Sequence, residues 1–436
     1  MMRRRLAPLL AAAALVLGVR AVAEAHAMLV SAEPAAGAHL ASAPSRVRLV
    51  FSEALELSLA ELSLTDDSGR TVRLKATGDP RDVHALIAPV ASIAPGSYRV
   101  TWRVVSADGH PVEGSYVFTI GAAAAAPPPA QDLGASRAAW GPTVAGAPIA
   151  PALSRGIAIG ALMSLAGLLL FVAWPGNASG ASAGRADRLA RNLALATVAV
   201  LVLNIVTWAI NAVPEHRLTS ESLAAALATV VGRVELWRTG LALLAAWALW
   251  VARRSRLALV FAAAAVAVSG AGGHSAAIHP LWNVPAKSIH LLAASAWIGG
   301  LLWLLSSPRE DGATFVRAAA RISTVALCAV LMVALSGVVQ TLLILPSPLD
   351  VVRSAYGAVV LAKVAGLLML VAFGAQNRFR IMPAMARDAA AGAQLQASVR
   401  REMAVMAAVV LLAGLLAFVP PPGGPPASSP TTAQEP

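Results

Sequence analysis

From residue 152 to residue 420 the chain repeats one pattern, an apolar run long enough to cross a bilayer followed by a short polar connection. A backbone inside lipid must satisfy its own N–H and C=O groups, so such runs fold as helices. Eight runs are read, near 153–174, 189–212, 233–252, 256–273, 286–306, 318–344, 356–375 and 402–419. The fourth is short, and the third carries Arg233 and Arg238 in its first turns. The expectation is an all-α polytopic membrane domain of about eight transmembrane helices over 152–420. Composition agrees: 58% of residues are hydrophobic and 13% are charged. A net charge of +12 would suit a nucleic-acid binder, but the arginines sit in short clusters between apolar runs, as in membrane-protein loops. The single cysteine, Cys328, excludes a disulfide within the chain and a thiolate metal site.

The first 151 residues are different in kind. Arg3 to Arg5, the apolar stretch Leu6 to Val19 and the small-x-small site Ala23-Glu24-Ala25 read as a signal peptide over 1–25. Ala21-Val22-Ala23 is an equally legal cleavage site. Residues 26–121 then alternate with a period of two. Val47, Leu49 and Phe51 alternate with Arg46 and Arg48, and Tyr98, Val100, Trp102 and Val104 form a second stripe. Turn signals at Asp67-Ser68-Gly69, Gly78-Asp79-Pro80 and Asp108-Gly109-His110-Pro111 separate short strands, which predicts a small antiparallel sandwich or barrel. An Ala/Pro/Gly-rich linker occupies 122–151, and a Pro/Ser/Thr-rich disordered tail occupies 421–436.

Export of the 26–121 domain makes the first span run from outside to inside. The inner loops 175–188, 253–256, 307–317 and 376–401 then hold twelve arginines, among them Arg185, Arg253, Arg309, Arg378 and Arg401. The outer loops hold mainly Arg217, Lys287 and Arg353, so the positive-inside rule gives the same orientation as the signal peptide. The expected location is the bacterial inner membrane, in contact with its lipid, with the N-terminal domain in the periplasm.

All eight histidines fall on the outer side of this topology: His26, His39, His84, His110, His216, His274, His279 and His290. Cleavage after Ala25 would make His26 the N-terminus, where its α-amine and Nδ1 close one chelate ring on a metal. Asp108 and His110 are two residues apart, and in extended backbone they would face one ion. Three nitrogens and one carboxylate oxygen suit Cu(II). The other reading is an ordinary turn with a solvated His110. A second constellation, His274, His279 and His290 followed by Trp297, lies at the outer end of the fifth run. An ionisable residue within a span points to function, here an outward-facing metal or proton function, the other reading being that His274 and His279 are loop residues and His290 is interfacial. Lys363 lies about two turns into the seventh run, either beside this pathway or snorkelling outward toward Asp350. Met332, Met369, Met382 and Met385 are read as packing, although thioethers also suit Cu(I).

The segments His-Ala-Met-Leu-Val-Ser-Ala-Glu-Pro from His26, Val-Arg-Leu-Val-Phe-Ser-Glu from Val47, and Val-Ser-Ala-Asp-Gly-His-Pro-Val-Glu-Gly-Ser-Tyr from Val105 resemble the CopC family of periplasmic copper-binding proteins. The resemblance implies an exported all-β sandwich of cupredoxin-like or Ig-like form. It also implies Cu(II) held by His26, Asp108 and His110, with Glu53 orienting the brace. The stretch from His274 to Gly300, with Ser336-Gly337, Tyr356-Gly357 and Gln376-Asn377-Arg378, resembles CopD-like membrane proteins. That resemblance implies copper passage across the inner membrane, usually inward.

Copper ions are thus the expected cargo, as Cu(II) outside and as Cu(II) or Cu(I) in the membrane, with periplasmic copper carriers as partners. No Gly-rich phosphate loop or Asp-Lys-Thr-Gly is present, which excludes an ATP-driven pump, and neither an enzyme nor a nucleic-acid binder is expected. The main rival is a sequestration and resistance protein whose helices serve as an anchor. A haem-bearing electron carrier and an oxidative copper enzyme rank below it. The brace requires a mature chain that begins at His26. Intact mass of the exported protein should therefore correspond to cleavage after Ala25, and a start at Glu24 would remove the chelating amine.

Overall fold

The structure is a computed structural model. It describes residues 29–107, 109, 111–121, 143–144, 147–174, 180–213, 216–274, 278–306, 312–385, 388, 390–419 and 421–422. The expected signal peptide, most of the linker and most of the tail lie outside the described residues, as do His26, Asp108 and His110. The chain divides into two compact units, one helical and one containing the β-domain together with Ala209–Gly232.

The β-domain is a sandwich of two sheets. One holds β1 (Leu29–Glu33), β3 (Arg46–Phe51), β7 (Asp82–Pro89) and β6 (Thr77–Asp79), in the order β1-β3-β7-β6. The other runs β2-β9-β8-β4-β5, from β2 (His39–Leu40), β9 (Pro111–Ile120), β8 (Gly96–Val105), β4 (Glu61–Asp66) and β5 (Thr71–Leu74). Their pairings are antiparallel except that β2 runs parallel to β9. The period-two stripes meet between the sheets: Val47, Leu49, Phe51, Val100, Trp102, Val104, Tyr116 and Phe118 are all buried. Trp102 lies edge-on to Phe51 with ring centroids 6.4 Å apart. Its cross-strand partner is Gly114, where an added Cβ would fall 2.2 Å from the indole, so only glycine admits the ring. Burial of Tyr116 pushes its hydroxyl pKa up.

All eight apolar runs of the membrane region form helices. They are α1 (Ile149–Val172), α2 (Gly180–Ala212), α4 (Val230–Trp250), α5 (Ser255–Val268), α6 (Pro280–Ser306), α7 (Gly312–Ile344), α8 (Ala355–Gln376) and α9 (Ala391–Leu416), with the short α3 (Ser220–Ala228) between α2 and α4. Among the described residues, five of them are long and apolar enough to cross a membrane, namely α1, α2, α6, α7 and α8. The count of eight spans is therefore not reached. Charge and length separate the other three: α4 carries Arg233, Glu235 and Arg238, α9 carries Arg400, Arg401 and Glu402, and α5 is a 14-residue helix continued by a short 3₁₀ turn. In α4 the charges are answered internally. Arg238 pairs with Glu235, both almost fully buried, and Asn204 Nδ2 donates to Glu235 at 3.0 Å.

The helix α1 is the spine of the bundle, packing against α5, α6 and α9. Two glycine contacts bring its backbone against its neighbours. A Cβ at Gly299 in α6 would lie 1.9 Å from the backbone of Gly167, and a Cβ at Gly414 in α9 would lie 2.6 Å from the Gly156 nitrogen. Such close approach by small residues is the usual means of helix association in lipid. Gly299→Leu should therefore part α1 from α6 and destabilise the detergent-solubilised protein by more than the ~1–3 kcal/mol of ordinary overpacking. Gly240→Ala, where nothing lies within 4 Å of an added Cβ, should change thermal stability by less than about 1 kcal/mol.

Candidate functional site

In the sandwich the segment joining β8 to β9 carries Asp108 and His110. Ser106 bridges to Leu55, and the Gly109 N–H donates to the Ser106 carbonyl at 2.8 Å. Gly109 is in the left-handed region, at φ 93°. The Asp-x-His pair is thus joined by a turn residue and not by extended backbone, which glycine permits without steric cost. The same turn is tied to the loop after β3, since Ala107 N–H donates to Ala54 C=O at 2.9 Å and Glu56 N–H to Val105 C=O at 2.8 Å. Glu53 sits half-buried in that loop, next to Ala54. The loop that carries Glu53 and the turn at Ser106, Ala107 and Gly109 are therefore held at one end of the sandwich by backbone bonds.

That end also holds Ala209–Gly232. Arg103 Nη2 donates to the Val213 carbonyl at 2.8 Å while its Nη1 pairs with Glu113. The Val230 N–H donates to Glu56 Oε1 at 2.6 Å, and Ser58 Oγ donates to the Ala225 carbonyl at 3.4 Å. His216, within this segment, has its Nδ1 3.1 Å from the Ile210 carbonyl. The other histidines of the sandwich have local partners. His39 Nδ1 meets Thr119 Oγ1. His84 Nδ1 lies 3.3 Å from Asp82 Oδ1, and the His84 backbone N–H holds the Asp82 carboxyl below its usual pKa.

The three histidines of the second constellation are each engaged separately. His274 is buried, its Nε2 lies 3.1 Å from the Val419 carbonyl, and its ring stands edge-on to Tyr356. His279 is exposed just ahead of α6, and its carbonyl accepts the N–H groups of Trp282 and Asn283. His290 is half-buried in α6, with Nδ1 3.0 Å from Ser336 Oγ. Among the described residues, no group of three His, Cys, Asp or Glu side chains stands at metal-ligating spacing. The Ser336 hydroxyl already donates to the Met332 carbonyl at 2.5 Å, so His290 Nδ1 is the donor to Ser336 and Nε2 carries the lone pair. In that tautomer Nε2 is the nitrogen that could serve as a ligand.

Asp350 Oδ2 accepts the Ser347 N–H at 3.0 Å, and among the described residues no ion pair joins Asp350 to Lys363. Lys363 itself is half-buried in α8. Met382 and Met385 pack against the apolar core, and Met332 is exposed on α7. Trp297 is buried in α6, where Nε1 donates to Glu402 Oε1 at 2.9 Å. The role of Glu402 was missed in the sequence because it stands at the edge of an apolar run, beside Arg400 and Arg401. The same holds for Glu235, whose neighbours on α4 are arginines.

Residues 29–121 match the CopC domain family, 147–280 the copper resistance protein D-like N-terminal domain, and 316–416 copper resistance protein D. The chain is similar to copper resistance protein C of Pseudomonas syringae pv. tomato, at 39% identity over 111 residues, which is 23% of this chain and 86% of that protein. It is also similar to copper resistance protein D of the same organism, at 30% identity over 165 residues, covering 35% of this chain and 53% of that protein. Among solved structures, CopC from Methylosinus trichosporium OB3b is 38% identical, with 22% of this chain and 93% of that chain covered and a TM-score of 0.21. The chain belongs to the CopC family through its β-sandwich and carries copper resistance protein D modules behind it, and is thus a CopC–CopD fusion.

Proposed function

We propose that this protein captures Cu(II) outside the cytoplasmic membrane and passes copper inward through its helical domain. The observation that carries the reading is the order of modules in one chain, a CopC domain followed by copper resistance protein D modules. In the sandwich, His26 supplies its α-amine and Nδ1, and Asp108 and His110 complete the ligand set. Glu53 positions the ligands from the loop bonded to their turn. Nitrogen and oxygen ligation of this kind favours Cu(II) over the other divalent ions of the first row.

In the helical domain, the acceptor is centred on His290, with His274 and His279 lining the approach and Trp297 and Lys363 beside the pathway. The Ser336 hydroxyl fixes the His290 ring and leaves Nε2 as the ligand atom, much as an outer partner orients a metal-bound imidazole. Copper in this domain is Cu(II) or Cu(I), and no nucleotide is spent. The working boundaries are a leader over 1–25, the sandwich over 26–121, a linker to 151, the membrane domain to 420 and a tail beyond. Sequestration with a helical anchor is the competing function, and copper content after gene deletion separates the two: uptake predicts less copper in the cell, sequestration more.

Titration of the exported protein should give one Cu(II) with a tetragonal, nitrogen-rich spin-resonance signal. Glu53→Gln should weaken binding by about 10–100-fold, the range for residues that orient a metal ligand. Asp108→Ala and His110→Ala should each cost more than that, while His39→Ala and His84→Ala should cost little. Equal losses from all four histidine and aspartate variants would indicate a diffuse surface site and overturn the brace.

His290→Ala should abolish copper accumulation in vesicles while Cu(II) binding by the sandwich stays unchanged. A correctly inserted His290 variant that transports like the wild type would leave the anchoring function in first place.

A further inference from the structure

The half of the bundle away from His290 contains a second polar site. Glu402 in α9 is 2% exposed, and both its carboxylate oxygens are engaged. Oε1 accepts Trp297 Nε1 at 2.9 Å, and Oε2 accepts Asn377 Nδ2 at 3.1 Å. These three residues line a cavity of about 240 Å³ whose other walls are mostly apolar. Asn377 opens a π-helical turn, Asn377–Ile381, that interrupts the end of α8. Turns of this kind sit frequently at functional positions, because the extra residue re-aims the side chains around it.

The charges around Glu402 do not neutralise it. Arg378, the charged side chain that shares its cavity, donates from Nη1 to Ser323 Oγ at 3.0 Å. On α9 itself, Arg400 and Arg401 are exposed, and on α7 Arg317 and Arg321 are exposed. The helix α6 contributes Trp297 here, its Lys287 and His290 lying nearer its other end, and α8 has Lys363 and Tyr356 toward its far end. The only charged residue of α1, Arg155, lies against Gly272 and Gly273. Among the described residues, no ion pair is made to Glu402. A buried carboxylate with no cation beside it is costly, and a proton removes that cost.

The second observation is on Asn377. Its Oδ1 is buried and has no hydrogen-bond partner among the described residues, while its Nδ2 serves Glu402. Rotating this amide by half a turn exchanges donor for acceptor. Asn377 then donates to the carboxylate in one state and accepts from the carboxylic acid in the other. The site is hydrogen-bonded with and without the proton.

We propose that Glu402 is a reversible proton-binding site of the membrane module, with Trp297 and Asn377 as its positioning residues. The use of that proton to drive copper passage rests on the transport function proposed above. The test reads the site first without copper. Infrared difference spectra of the full-length protein in nanodiscs, taken across a pH titration, should show a protonated-carboxyl band that is absent in Glu402→Gln. Trp297→Phe removes one donor to the anion and should raise the proton affinity roughly tenfold. Asn377→Leu should shift the band, because the acid loses its acceptor. A titrating band that persists in Glu402→Gln, or no titrating buried carboxyl in the wild type, overturns the proposal. Copper accumulation in vesicles under an imposed pH gradient gives the second arm. Gradient dependence should be lost in Glu402→Gln, and dependence retained in that variant overturns the driving role. A wild type that moves no copper, yet keeps the infrared band, would instead count against the transport function alone.

Discussion

A polar group inside a helical bundle in lipid stays charged only where a neighbour answers it, and this constraint organises the membrane half of the protein. Arg238 and Glu235 enter the interior as a pair, three residues apart on α4, with Asn204 of α2 taking part. Lys287 donates to the Gly272 carbonyl at 2.6 Å, and Ser288 donates to the Ala267 carbonyl at 2.8 Å, so the first half of α6 is fastened to the last turn of α5 and the segment after it. Once these groups are satisfied they rank as structure. His290 and Glu402 differ from them, because each keeps an atom or a charge that its surroundings do not fully use.

Glycine decides where those two residues stand. The near contact of Gly167 with Gly299 and of Gly156 with Gly414 draws α6 and α9 onto opposite parts of α1. A side chain at Gly167, Gly299 or Gly414 would meet the facing backbone at under 2.5 Å and push the helices apart. Packing of small residues thus sets the hydrogen-bond geometry, and the polar contact alone would be too weak to hold two helices together against lipid.

The sandwich was legible because a period of two survives inspection: the Val47, Trp102 and Tyr116 stripes face the core as their alternation requires. The eight helices were legible for the same kind of reason, since each is a continuous apolar run. The number of bilayer crossings was not, because α4 and α9 each carry three charges and α5 is only 14 residues long. The left-handed Gly109 was also hidden, since Asp-Gly-His reads equally as a turn or as the end of a strand. Glu402 went unnoticed because its meaning depends on Trp297, 105 positions away, and on a π turn that no local pattern announces. The engagement of Ala209–Gly232 by Arg103 and Glu56 is likewise a long-range fact.

His290 and Trp297 are seven residues apart on one helix, about 10 Å along its axis. Two unit charges of opposite sign about 10 Å apart attract by about 1.7 kcal/mol at an effective dielectric of about 20. That is more than a tenfold effect on the occupancy of either site. Copper bound at the proposed His290 site would therefore favour the anionic form of Glu402, and its departure would favour the protonated form. The coupling is reciprocal by thermodynamic necessity, so a proton supplied to Glu402 would weaken copper at the proposed His290 site by the same factor. Neither site needs to move for this to operate. His290 and Trp297 share one continuous helix, α6, which packs closely on α1 at Gly299.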